Sequence, residues 1–286
     1  DKKMALRRDL LLFPEGKRKA VTFSYDDAVT QDVRFVGLLN RYGLKGTFNI
    51  NTGLLGQESL HTQNGKTVSH NKLKPEEILR VYAGHEMAVH GRTHLELPAV
   101  PAGTAAYEIT ADRQQIEEMV KRPVTGMAYP FGTYTEETKK VLKSCGIDYS
   151  RTIHSTYDFR IPEDFLCWHP TCHHEDPRLF SLADQFLEEM DEKEESRLFY
   201  IWGHSYEFDV TDTWERMEEF LKRIFGHGDV WYASNGEICS YVQAARALKY
   251  SADGSYLYNP SATDVWLRIQ GQDLHIPSGE TVKAGI

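Results

Sequence analysis

The chain has 286 residues, 41% of them apolar and 26% charged, which supports a sizeable core in one large domain or one domain with an appendage. Its 33 Lys and Arg against 42 Asp and Glu leave a net charge of −9, which disfavours nucleic acid or an anionic membrane surface as a partner. No uninterrupted apolar run approaches about 18 residues, so no transmembrane helix is expected, and Asp1-Lys2-Lys3-Met4 does not read as a signal peptide, which leaves export open for a trimmed chain.

The first strong strand signal is the run at 20–25, closed by Asp26-Asp27, and a helical pattern follows at 32–42. Strand and helix patterns then alternate: strand 46–50 and helix 75–83, strand 86–89 and helix 104–121, strand 125–129 and helix 135–144. The series continues with strand 148–152 and helix 178–189, strand 198–202 and helix 213–225, strand 229–232 and helix 236–250. Seven such units predict an α/β fold of parallel βα units with right-handed crossovers, closed as a distorted (β/α)7-type barrel domain over residues 1–250. From 251 the turn signals Asp253-Gly254, Asn259-Pro260 and Pro277-Ser278-Gly279 separate short alternating runs such as Val265-Trp266-Leu267-Arg268-Ile269. Residues 251–286 therefore read as a small C-terminal β extension packed on the barrel. The acidic stretch 188–195 reads as a solvated helix end. Of the four cysteines, Cys145, Cys167, Cys172 and Cys239, none has a CxxC spacing; Cys167 and Cys172 suit either a disulfide or buried free thiols.

Asp26, Asp27, His90, Pro130, Arg151 and His204 each fall at or just past the C-terminal end of a predicted strand, the face where parallel α/β barrels assemble active sites. Two adjacent carboxylates repel each other, and a bound cation is the usual way to keep both ionised. In His90-Gly91-Arg92-Thr93-His94 the two histidines have i,i+4 spacing, which on a helical turn puts both imidazoles on one face. The zincin His-Glu-x-x-His pattern is not met, because Glu does not follow the first His. Two imidazoles and one carboxylate make up a catalytic zinc-type set with open positions, and the second Asp is left as a candidate base. His204, after an apolar strand and Gly203, reads either as a hydrogen-bonded, half-buried histidine or as an acid for a leaving group.

These residues together resemble the polysaccharide deacetylase family (carbohydrate esterase family 4, the chitooligosaccharide deacetylase homology domain). The Thr-Phe-Asp-Asp-Gly motif is matched by Ser24-Tyr25-Asp26-Asp27-Ala28, and the His-Ser/Thr-x-x-His motif by the 90–94 stretch. The Arg-x-Pro-Tyr/Phe-Gly motif is matched in part by Ala128-Tyr129-Pro130-Phe131-Gly132, and the late Leu-x-His motif by Trp202-Gly203-His204. The resemblance implies that Asp27, His90 and His94 hold one divalent metal, Zn²⁺ first, with Co²⁺, Ni²⁺ or Mn²⁺ as alternatives. It implies that Asp26 is the base for a metal-bound water, that the metal and a backbone N–H near Phe131 stabilise the oxyanion, and that His204 protonates the leaving group.

Departures from the family pattern locate the open questions. Ala128 stands where an arginine usually orients the base; Arg151 is the expected substitute, ahead of Arg92. Gly91 replaces a hydroxyl residue and Ala28 replaces a glycine. The segment 161–174 occupies the region of the Asp-x-x-Asp-Trp motif. There Asp164 is expected to orient His204 (Glu207 or Asp209 could also do so), Trp168 to wall the acetyl pocket, and His173 and His174 to line the cleft with Tyr129, Pro130 and Phe131. The expected function is removal of acetyl groups from an N-acetylated sugar or polysaccharide by attack of a metal-bound water. The alternatives are an amidase of the same fold acting on a small non-carbohydrate amide, or a catalytically silent metal- or glycan-binding domain. A carbohydrate substrate, no nucleic acid, and an exported or cell-surface setting with cytoplasmic as the alternative complete these expectations; nothing in the sequence fixes the oligomeric state.

Overall fold

The computed structural model describes residues 7–285. Its main sheet comprises eight parallel strands: β1 (Lys19–Asp26), β2 (Gly46–Ile50), β3 (Glu86–Val89), β4 (Gly126–Ala128), β5 (Tyr149–Arg151), β6 (Cys172–His173), β7 (Arg197–Gly203) and β8 (Val230–Tyr232). The spatial order is β5-β4-β3-β2-β1-β7-β6, and β8 pairs with the start of β1 at Lys19–Val21. The segment that ends in β6 joins the two edges: Trp168 bridges Arg151 of β5, while Cys172 and His173 pair with Ile201 and Trp202 of β7. The sheet is thereby curled into the distorted (β/α)7-type barrel expected from the strand–helix alternation.

Side chains alternate across a strand, and on β1 this sorts two chemistries. Val21, Phe23 and Tyr25 pack outward against the helices, Tyr25 on Phe35 and Phe23 on Phe220. The alternate residues point into the barrel, where Thr22 accepts from Asn235, and Ser24 and Asp26 accept from Arg151. β7 repeats the division: Phe199 and Ile201 join the helix-facing core, whereas Leu198, Tyr200 and Trp202 fill the interior with Tyr149 and Trp168. All eight residues of β1 are buried because both faces of the sheet are covered.

The covering helices include Asp32–Arg41, Ala102–Val120, Glu136–Ser144, Leu179–Leu187, Trp214–Ile224 and Asn235–Arg246. Trp214–Ile224 buries Met217, Phe220, Leu221 and Ile224, an i, i+3, i+4, i+7 stripe. At about 1.5–3 kcal/mol per buried large apolar side chain, that stripe outweighs the helix's weak intrinsic stability. Ser234 caps the last helix in a reciprocal pair with Glu237.

Several boundaries differ from the sequence reading. The helix expected at 75–83 is a 3-10 turn, Pro75–Glu77, followed by one α turn, Ile78–Val81. The helix expected at 236–250 stops at Arg246, and Lys249–Tyr250 instead pairs with Tyr256–Tyr258. Asp9–Leu12, not foreseen as a strand, pairs with Val265–Ile269 across nearly the whole chain. A β-hairpin, Leu60–Gln63 with Lys66–Ser69, also went unforeseen; Asn64 and Gly65, at φ 52° and 76°, form its two-residue turn. All four cysteines are free, so Cys167 and Cys172 form no disulfide. No helix among the described residues is long and apolar enough to cross a membrane.

Candidate active site

β1 ends in a turn that separates the two carboxylates. Asp26 completes the strand, while Asp27 and Ala28 take the left-handed conformation, at φ 82° and 52°. Consecutive non-glycine residues there store backbone strain, and the turn sends the two side chains to different neighbours.

Asp26 is 2% exposed. Arg151, fully buried at the end of β5, grips both of its oxygens: Nη1 donates to Oδ1 at 2.8 Å and Nη2 to Oδ2 at 2.5 Å. Asn49 of β2 adds a third donor to Oδ1 at 2.9 Å. Burial opposes ionisation, yet the Arg151 charge overrides it and brings the Asp26 carboxyl down to about 2. The side chain of Arg151 crosses the barrel interior, lies over the Trp202 ring at 4.6 Å and also donates to Ser24. The guanidinium beside the base candidate therefore comes from β5, not from position 128. Ala128 contributes its carbonyl instead, which accepts from His90 Nδ1 at 2.7 Å.

That bond decides the state of His90. Its proton sits on Nδ1, so Nε2 presents a lone pair toward Asp27 Oδ1, 3.4 Å away. His94 Nε2 lies 3.6 Å from the same oxygen. Two acceptors aimed at each other at these distances cannot hydrogen-bond, and His90 Nε2 and Asp27 Oδ1 are both buried with no partner. A divalent cation would satisfy both atoms at once, and the ligating atoms of Asp27, His90 and His94 all lie within 4.8 Å of one another. The set fits a divalent metal. The 90–94 stretch is a loop and not the helical turn inferred from its spacing; Gly91 at φ 81° and His94 at φ 59° fold it back.

His173, His174 and Glu207 form a second cluster of the same residue types. Here the tautomer argues the other way. His173 Nδ1 accepts from the Glu175 backbone N–H at 3.1 Å, which places the ring proton on Nε2, the atom that donates to Glu207 at 2.9 Å. A nitrogen carrying a proton is no ligand, so His173 is held by hydrogen bonds; His174 Nε2 is buried without a partner 3.4 Å from Glu207 Oε1, and the cluster is a node built on His173 and Glu207. Its centre is Glu207 Oε1, which also receives the His204 backbone N–H at 2.6 Å and His204 Nδ1 at 3.1 Å. Burial lowers the basicity of His204, but Glu207, with Asp27 and Asp26, prevails and lifts it to about 9. His204 Nε2 then points a proton into the site, 3.8 Å from both Asp26 Oδ2 and Asp27 Oδ2.

Other expectations for the 129–174 region are corrected. Trp168 does not wall a pocket; it is 1% exposed, packed edge-on against Tyr149, Phe165 and Tyr200. Asp164 does not reach His204, because it caps Leu166 and pairs with Lys139 at 2.5 Å. Tyr129 and Pro130 are buried, and the Tyr129 hydroxyl donates to the Leu166 carbonyl. Phe131, at φ 61°, is exposed and stands edge-on to His94 at 4.6 Å. The sequence reading missed His70, whose Nε2 lies 3.3 Å from Asp27 Oδ2, and Asn49.

Residues 14–150 match the family model for polysaccharide deacetylase. The curated Bacillus subtilis protein YxkH, named for the polysaccharide deacetylases, is 27% identical over 132 residues, 45% of this chain and 42% of that protein, so less than half of its length is spanned. Among solved structures, one from Mycobacterium smegmatis, described as a polysaccharide deacetylase, is 19% identical, covering 83% of this chain and 94% of its own, with a TM-score of 0.58. A mutant of a Bacillus anthracis CE4 family pseudoenzyme with restored enzymatic activity is 15% identical over 79% of this chain and 69% of its own, with a TM-score of 0.50. At these identities the structures share the fold.

Proposed function

We propose that this chain, which carries a polysaccharide deacetylase family region over residues 14–150, is a metal-dependent hydrolase that removes acetyl groups from an N-acetylated sugar or polysaccharide. The observation that supports it is the pair of unpartnered buried atoms, Asp27 Oδ1 and His90 Nε2, facing each other beside a carboxylate and a protonated imidazole. A divalent cation held by Asp27, His90 and His94 would supply Lewis acidity toward the acyl oxygen and a water of lowered pKa.

The rest of the chemistry falls to the chain's own side chains. Asp26 takes a proton from the attacking water at Oδ2, the oxygen that faces His204 and His90 across 3.8 and 3.9 Å. Arg151 keeps that carboxylate ionised and aimed. His204 Nε2–H gives its proton to the departing nitrogen, and Glu207, by accepting from Nδ1–H, keeps the other ring proton in place so that Nε2 is the atom that exchanges. Arg151 on Asp26 supplies the guanidinium that position 128 lacks, which supports the enzyme reading over a catalytically silent metal- or glycan-binding domain.

The direct test is acetate release from a panel of N- and O-acetylated oligosaccharides and polymers, run beside formamide and ureide substrates. Acetate from a glycan that stops after dialysis against a chelator and returns with Zn²⁺ or Co²⁺ is the expected result. Turnover of the small amides alone would move the assignment to an amidase, and chelator-resistant turnover would remove the metal from it.

The alkaline limb of the pH profile reports on His204. Its acid form exists below about 9, so kcat/KM should fall as pH rises through that value. Glu207→Gln keeps the acceptor oxygen but removes the charge that raises His204, and the limb should therefore move to lower pH. A limb left in place would show that another group titrates there.

A further inference from the structure

The hairpin Leu60–Gln63/Lys66–Ser69 belongs to none of the βα units, yet it is tied to both halves of the site. Its exit strand continues into a bridge between Lys72 and Val29, two residues past Asp27. Backbone bonds from Thr30 to Asn71 at 2.9 Å and from Leu73 to Ala28 at 2.8 Å stitch the same two stretches together. On the other side Gln31 joins the Ser69 carbonyl at 2.8 Å to Asp209 at 2.9 Å, on the short helix Tyr206–Thr211 that follows His204. Val68 packs with Val29, Tyr206 and Val210 in a small separate core. His61 and His70 both pack on this join, each 4.8 Å from the Tyr206 ring.

What this scaffold delivers is His70. Its Nε2 lies 3.3 Å from Asp27 Oδ2, and since an ionised carboxylate has no proton to give, that nitrogen is the donor. The two oxygens of Asp27 are thus divided. Oδ1 is buried, unpartnered and turned toward His90 and His94, while Oδ2 is held by His70 and faces His204 Nε2 at 3.8 Å. His90 is fixed in the same manner by the Ala128 carbonyl.

We infer that His70 is a positioning residue for the metal ligand Asp27: by occupying Oδ2 it holds the carboxylate to one-oxygen ligation through Oδ1. The inference rests on the reading of Asp27, His90 and His94 as a metal site. A carboxylate without such a partner can rotate to bind through both oxygens or turn away, and outer hydrogen bonds of this kind commonly change metal affinity by about 10–100-fold.

The test uses the full chain stripped of metal, with His70→Ala and His70→Gln. Zn²⁺ affinity is read by competition with a chromophoric chelator, and the ligand field by the visible spectrum after Co²⁺ loading. His70→Ala should weaken Zn²⁺ binding by roughly 10-fold or more and lower the Co²⁺ absorption intensity as the coordination number rises. His70→Gln, whose amide can still donate to Oδ2, should recover most of both. Unchanged far-UV circular dichroism and melting of the metal-free variants would separate this from a folding defect. A His70→Ala affinity within about twofold of wild type overturns the inference, as does failure of His70→Gln to recover, which would make His70 a ligand in its own right. If wild type binds Zn²⁺ no better than His90→Ala does, the metal site itself is wrong and the inference falls with it.

Discussion

Asp26→Asn is expected to lower kcat by about 10²–10⁴-fold while Zn²⁺ affinity changes little. The substitution is nearly isosteric, so Asn49 and one arm of Arg151 can still donate to the remaining carbonyl oxygen. The new amide nitrogen cannot accept a proton, and it faces a guanidinium donor where an oxygen stood at 2.5 Å. Asp27 and His90 keep their own supports, the His70 and Ala128 contacts, neither of which involves Asp26. Loss of turnover with metal retained is therefore the signature of a base; loss of both would indicate a ligand. Turnover close to wild type would sink the role outright. Some loss of stability should accompany the change, because Arg151 remains buried without its counter-charge.

Much of the site was legible in the sequence because it sits at strand ends. A strand pattern with apolar Val21, Phe23 and Tyr25 at alternate positions, stopped by Asp26-Asp27, and an apolar run stopped by Gly203-His204, locate polar groups on one face of a parallel sheet without any knowledge of contacts. Arg151 was legible for the same reason, although only closure of the barrel shows that its side chain crosses the interior to Asp26. The 161–174 segment misled because a loop fixes neither direction nor burial. Trp168 turns into the barrel as a closing residue, and Asp164 turns outward to Lys139. Glu207 was one of three candidates for orienting His204, and the short helix after His204 selects it. The hairpin left a signal in Asn64-Gly65, the favoured two-residue turn, between runs too polar to resemble strands. Strand Asp9–Leu12 could not be inferred locally, since its partner lies more than 250 residues away.

Arg151→Met should be the most damaging single change to stability, and its cost should depend on pH. Removing one partner of a buried ion pair typically costs about 3–5 kcal/mol, because the other charge stays buried without compensation. In the wild type the Asp26 carboxyl is depressed to about 2, below the unfolded value of about 3.9. It thus contributes stability that is present above pH 4 and is lost as pH falls through 2. Without Arg151 the largest remaining influence is burial, which raises the pKa, and Asp26 in the variant should titrate above its unfolded value. The sign of its contribution then inverts: an ionised Asp26 destabilises the variant at neutral pH, and protonation relieves it as pH falls. Urea denaturation of wild type and Arg151→Met at pH 7 and pH 5 should show the stability gap narrowing at the lower pH. Asp26→Asn in the Arg151→Met background should recover part of the loss at pH 7, since it discharges the stranded carboxylate; adding the two single costs would overestimate the double. A gap that is independent of pH, or a double variant whose losses simply add, would mean that Arg151 acts through packing on Trp202 and not through the charge of Asp26.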